Sequence, residues 1–147
     1  MRVRTMAALG MVAVGAMLIV AVSVASGSAP RKYTATLTAA QEVPKPAGAA
    51  GAGGTFTATL TGTTLKWTLT YKHLSGAAQQ AHIHMGAKGV SGNVVVPLCS
   101  TPAGCASPIK GSAKLNAATI KAMNAGNAYV NVHTKKNLAG EIRGQIK

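Results

Sequence analysis

The sequence predicts an all-β fold: an antiparallel, Greek-key-like sandwich or barrel of seven or eight strands, interrupted by one short helix at about residues 116–125. Three observations carry this. Apolar and polar residues alternate with period two from residue 33 onward, most regularly in YTATLTAA, GTFTATLTG and TLKWTLTY. Turn signals separate these runs at short, near-regular intervals. One segment only, NAATIKAMNAG, carries helix punctuation at both ends, with Asn116 as N-cap and Gly126 just past the last turn.

The elements follow in order. In 33–40, Tyr33, Ala35 and Leu37 alternate with threonines. In 54–62, Phe56, Ala58 and Leu60 face one way and Thr55, Thr57 and Thr59 the other. In 64–71, Leu65, Trp67, Leu69 and Tyr71 oppose Lys66, Thr68 and Thr70, and the TGTT junction before them is short enough for a hairpin. Further strands are expected at 78–85, 93–98, 108–115, 127–134 and 139–147. The loops QEVPKPAGAAGAGG and GAKGVSG are rich in glycine and alanine, which makes them mobile or ligand-facing. Aromatic residues are few, so alanine, valine, leucine and threonine must fill most of the core.

Residues 1–29 read as an export signal. Arg2 and Arg4 form a basic start, an uncharged apolar run follows, and small residues close it. Cleavage is the favoured expectation, leaving a single domain over 30–147. The alternative is an uncleaved membrane anchor at residues 6–24, which are long enough to span a bilayer. Either way the domain lies outside the cytoplasm. There, Cys99 and Cys105, which enclose STPAG, are expected to form a disulfide contributing about 2 kcal/mol.

Charge is lopsided: 15 Lys and Arg stand against two Glu and no Asp, a formal +13, and losing Arg2 and Arg4 with the leader leaves +11. Such a surface attracts anionic polymers. The lysines are scattered, with no helical stripe and no aromatic interleaving, so nucleic-acid recognition is not expected. Catalytic signatures are thin: two carboxylates leave little for general acid–base work, and no nucleophile elbow, phosphate-binding glycine motif or H-E-x-x-H occurs.

The segment AHIHMGAKG places His82 and His84 two residues apart. On a strand such residues share a face, about 6.6 Å apart along it. The same parity aligns Tyr129, Asn131 and His133. Three imidazoles at ~2 Å from one ion suit copper or zinc. The alternative is a set of exposed or hydrogen-bonded strand histidines, and the cationic chain and missing aspartate weigh against a bound cation. Glu42 and Glu141 are the only carboxylates available as supporting groups. Glu141, Arg143 and Gln145 share a face, where Glu141 and Arg143 are expected to form an exposed pair worth about 0.2–1 kcal/mol. His73 is expected to be a loop residue, with a fourth-ligand role as the alternative.

Four stretches, TAAQEVPKP, KWTLTYKHLSG, AAQQAHIHMGAKGVSGNVVVPL and AGNAYVNVHTKKNLAGEIRGQI, occur in an order that resembles the CHRD domain, a module named for chordin and found in exported bacterial proteins. The resemblance covers roughly residues 33–146 and implies a compact extracellular β module. It places Glu42, His82, His84, His133, Glu141 and Arg143 at recurring polar positions. The cysteine pair and His73 look like local additions. A weaker likeness, of H-x-H plus a late-strand histidine, is to the copper side of Cu/Zn superoxide dismutases; four histidines and no aspartate exclude the full dinuclear site. The expected function is therefore an exported, non-enzymatic binding or structural module at the envelope or matrix, its partner an anionic polymer or another extracellular protein. The alternative is a mononuclear copper or zinc protein using His82, His84 and His133, with redox activity a remote extension. Glu42, Asn131, Glu141 and Arg143 are the expected ligand-facing neighbours.

Overall fold

The computed structural model describes residues 29–100 and 103–147. The leader and anchor readings, apart from the last leader residue, fall outside that range. Eight strands and one helix run in the order β1 (Arg31–Thr38), β2 (Gly53–Thr61), β3 (Thr64–Lys72), β4 (Ala78–Met85), β5 (Asn93–Cys99), β6 (Ile109–Lys114), α1 (Ala117–Asn124), β7 (Ala128–Thr134) and β8 (Ile142–Gln145). All pair antiparallel in one sheet, ordered β5-β4-β7-β8-β1-β2-β3-β6. Its two edges, β5 and β6, come together. The sheet thus rolls into a nearly closed barrel, and the order β3-β6-β5-β4 across the seam is a Greek key.

Side-chain parity explains the core. Phe56, Leu65, Leu69, Ile83, Val130, Val132 and Ile142 are fully buried, each from the inward half of an alternating run. Burying a side chain of this size contributes roughly 1.5–3 kcal/mol. Phe56 pairs across the sheet with Leu69, and the small Ala58 with Trp67, so bulk is distributed between neighbouring strands. Cys99 and Cys105 form a disulfide with Cα atoms 5.3 Å apart. It ties the end of β5 to the 3₁₀ turn Ala103–Cys105, whose last carbonyl accepts the Tyr71 hydroxyl proton.

Helix α1 begins where expected: the Asn116 side chain accepts the Thr119 N–H at 2.8 Å. It ends at Asn124, with Gly126 at φ +69 and the Asn127 N–H returning to the Ala122 carbonyl. Two strands, β1 and β8, differ from expectation by two or more residues at each end. β1 stops at Thr38 because Ala39–Gln41 turn into a 3₁₀ helix. β8 is only four residues long, because Thr134 and Asn137 exchange backbone hydrogen bonds and Gly140 takes φ +134, so the chain is still turning at 139–141.

The larger departure concerns β7, which is buried at every position. Its outward residues are covered by the β1–β2, β4–β5 and β7–β8 connections. These loops are stitched together: the Ala47 N–H donates to Asn137 Oδ1 at 2.8 Å, and the Ser91 hydroxyl to the Val43 carbonyl at 3.3 Å. The Gly/Ala-rich segments therefore lie as covers over the β4–β7–β8 wall.

Candidate metal centre

Register places the polar residues of three strands in two rows on the outer wall. His82, Asn131 and Arg143 are directly opposite one another, as are His84, Tyr129 and Gln145. Gln80 pairs with His133 at the next level. The covering loops leave His84 and His133 only 8% exposed and His82 half-buried. The histidine face is thus covered and not exposed, while the rings do make the hydrogen bonds that the alternative of hydrogen-bonded strand histidines expects.

Two rings have their tautomers set by carbonyls. His84 Nδ1 lies 2.8 Å from the Gly92 carbonyl and His133 Nδ1 lies 2.9 Å from the Leu138 carbonyl. A carbonyl only accepts, so each Nδ1 carries the proton and each Nε2 presents a lone pair. This is the arrangement by which outer partners orient metal-ligating histidines. His84 is held further by its neighbours: its ring stacks on Tyr129 at 4.8 Å and 7°, and the Arg143 guanidinium lies 3.4 Å from the other ring's centroid. The Tyr129 hydroxyl accepts the Gly92 N–H at 3.1 Å. Gly92 is required there, since a Cβ would fall 1.7 Å from the Met85 carbonyl oxygen.

Ring nitrogens of the three histidines converge. His133 Nε2 lies 3.1 Å from His82 Nδ1 and 3.0 Å from Asn131 Oδ1. A proton on His82 Nδ1 accounts for the first contact. It leaves Asn131 Oδ1 facing a lone pair, and His84 Nε2 is buried with no hydrogen-bond partner, a costly arrangement for a polar atom. Two donors at 2.0–2.1 Å from one ion and at a right angle stand about 2.9 Å apart, close to both short separations. One ligand nitrogen from each of His82, His84 and His133 lies within 4.8 Å of the other two. Shared coordination requires no more than about 4 Å, so the longest separation must close by somewhat under 1 Å.

Electrostatics favour the neutral form of His82 and His133. Burial, reinforced by repulsion from His133 and His84, pushes His82 down to about 4. Burial also lowers His133, opposed by its Leu138 bond. Glu42 approaches from the β1–β2 connection. Burial raises its carboxyl, against the Val43 N–H, the Arg143 charge and the Asn131 amide. Gly140 makes room for it, since a Cβ there would lie 2.3 Å from Glu42 Oε2. Glu42 Oε1 accepts the Val43 N–H, and its Oε2 is buried with no hydrogen-bond partner.

One expectation is corrected and one is met. Glu141 and Arg143 are not an exposed pair. Both are buried, at 0% and 1% exposure, and they turn to different partners. Glu141 accepts from the Ser75 backbone at 2.5 Å, the Ser75 and Thr134 hydroxyls at 2.6 Å each, and the Asn137 amide at 3.0 Å. Arg143 Nη2 donates to the Ala87 and Val90 carbonyls at 2.9 Å. The turn at 139–141 swings Glu141 out of the parity that predicted the pair. His73 is exposed with φ +58 and stands apart from the cluster; it is a loop residue. Tyr129, Gly92 and Leu138 received no role from the sequence. Strand parity places Tyr129 beside Asn131 and His133, but nothing local marks the two carbonyls that hold the rings.

Among the described residues no helix is long and apolar enough to cross a membrane. The family profile of the CHRD domain matches residues 33–146. No curated protein and no solved structure matches the chain.

Proposed function

The chain belongs to the CHRD domain family, and from that premise we propose that it acts outside the cytoplasm as a non-enzymatic binding module whose polar wall holds one copper or zinc ion on His82, His84 and His133. The observation that carries this is the unpartnered, buried Nε2 of His84, next to His82 and His133 nitrogens already at the spacing of adjacent ligands. Neutral imidazoles without thiolate or carboxylate favour copper(II) over zinc, following the general affinity order for nitrogen sites. Asn131 Oδ1 is placed to add an oxygen donor, while Tyr129 and the Gly92 carbonyl hold His84 in line. Export is supported by the basic, apolar and small-residue order of residues 1–29 and by the Cys99–Cys105 bond.

Calorimetric titration of copper(II) and zinc(II) into metal-free protein tests the reading. Binding at micromolar Kd or tighter, with a stoichiometry of one and lost in His84→Ala, is expected. Affinity no stronger than a generic surface histidine provides, or affinity unchanged by His84→Ala, would sink it.

A further inference from the structure

The histidine wall leaves the outer face of β1, β2, β3 and β6 unexplained. The chain has two acidic side chains, and both are buried: Glu42 is 3% and Glu141 0% exposed. No carboxylate side chain therefore reaches solvent anywhere on the protein, whereas every described lysine is exposed. Register arranges the outward residues of this face in rows. Lys32, Thr59, Lys66 and Ser112 form one row, Thr34, Thr57, Thr68 and Lys110 the next, and Thr36, Thr55 and Thr70 a third. With strands ~4.8 Å apart and same-face residues ~6.7 Å apart, neighbouring lysine Cα atoms stand about 8–10 Å from one another. Hydroxyls fill the gaps. The lining of a shallow depression of about 370 Å³ includes Lys32, Thr34, Thr57, Thr59, Lys66 and Thr68. Strand propensity accounts for threonine here, but it does not account for the exclusion of every acid from the surface.

We propose that this face binds a linear anionic polysaccharide. The lysine ammonium groups engage its carboxylates or sulfates, and threonine hydroxyls, each both donor and acceptor, engage its sugar hydroxyls. Other polyanionic partners fit less well. Nucleic acid calls for exposed aromatic platforms, and Tyr33, Phe56 and Trp67 are all buried beneath this face. A bilayer calls for an apolar wedge, and the exposed large apolar residues Val43, Val90, Val94 and Leu138 lie on other elements. The proposal does not rest on the metal reading.

The test measures retention of the purified protein on immobilised polygalacturonate and on heparin as a function of salt, with single-stranded DNA as a third arm. The two polysaccharides separate carboxylate from sulfate recognition. The triple variant Lys32→Gln, Lys66→Gln, Lys110→Gln is compared with Lys45→Gln, Lys121→Gln, Lys136→Gln, which removes equal charge elsewhere. The face variant is expected to lose about 10-fold or more in affinity for at least one polysaccharide, and the control less than about 3-fold. Equal losses, tighter binding to DNA than to either polysaccharide, or no retention of the unmodified protein at low salt would overturn the proposal. Copper titration of the face variant is expected to match the unmodified protein, so the outcome is independent of the metal site.

Discussion

The two outer walls of the barrel follow the same period-two pattern and end in opposite surroundings. On β1, β2 and β3, outward Thr34, Thr57 and Thr70 meet solvent. On β4, β7 and β8, outward His84, Asn131, His133 and Arg143 are sealed at 8% exposure or less. The difference lies in the connections. β2 and β3 are joined across residues 62–63, which leaves no chain to lie over them. β1–β2, β4–β5 and β7–β8 are joined by 39–52, 86–92 and 135–141, which fold back and interlock. An outward position on a strand is a surface position only where no long loop covers it.

The comparison is broken most sharply at His84. His84→Ala on the covered wall should weaken copper(II) binding by at least about 100-fold, more than the 10–100-fold that outer partners of a metal site cost. His73→Ala, an exposed histidine outside the cluster, should leave it unchanged. Calorimetric titration compares the two, and equal effects would erase the distinction between the walls.

Stability gives the next largest contrast. Glu141→Gln should cost about 2–3 kcal/mol in urea unfolding, because it removes a carboxylate that accepts four hydrogen bonds and leaves buried donors poorly matched. The two carboxylates should also respond to pH with opposite sign. Burial pushes the Glu141 carboxyl up, but its hydrogen bonds from Ser75, Thr134 and Asn137 outweigh this and hold it below the ordinary value. Its contribution is present above the unfolded carboxylate value of about 4.3 and is lost as pH falls through the lower folded value. Unfolding midpoints measured from pH 7 to pH 3 should thus fall less steeply in Glu141→Gln than in the unmodified protein. Glu42 is raised, chiefly by burial, so its ionisation opposes folding as pH climbs past the unfolded value. Glu42→Gln should therefore gain on the unmodified protein between pH 4 and 7.

Smaller effects sharpen the comparison. Tyr129→Phe removes the acceptor for the Gly92 N–H and should cost about 1 kcal/mol, with copper affinity about 10-fold weaker through a looser His84. Thr57→Val on the open wall should stay within about 0.5 kcal/mol, read from the same urea curves.

Much of the fold was legible. Alternation in YTATLTAA, GTFTATLTG and TLKWTLTY identifies the strands and which residues they bury, and Asn116 and Gly126 bracket the helix. The family is legible too, because its four polar stretches recur in order. The histidine set is legible as a set: parity aligns His82 with His84 and Asn131 with His133. The supposed Glu141–Arg143 pair was misread because parity assumes that a strand has already begun, and Gly140 is still turning. The Gly92 and Leu138 carbonyls were invisible because every residue carries a carbonyl, and only the folded chain decides which one meets an imidazole.

By itself, then, the sequence determined what depends on local periodicity and composition: strands, helix ends, inward and outward faces, the cysteine pair and the scarcity of acid. Only the tertiary structure decided what depends on distant segments meeting. It closed one sheet into a barrel and brought β4 against β7 so that His82 reaches His133. It laid three loops over one wall and left the threonine wall bare. The physical reason is range: side-chain direction is set within two residues along a strand, whereas burial and partner are set by how the chain folds back, from a loop 5–8 residues on for the two carbonyls to a strand 51 residues away for His82 and His133.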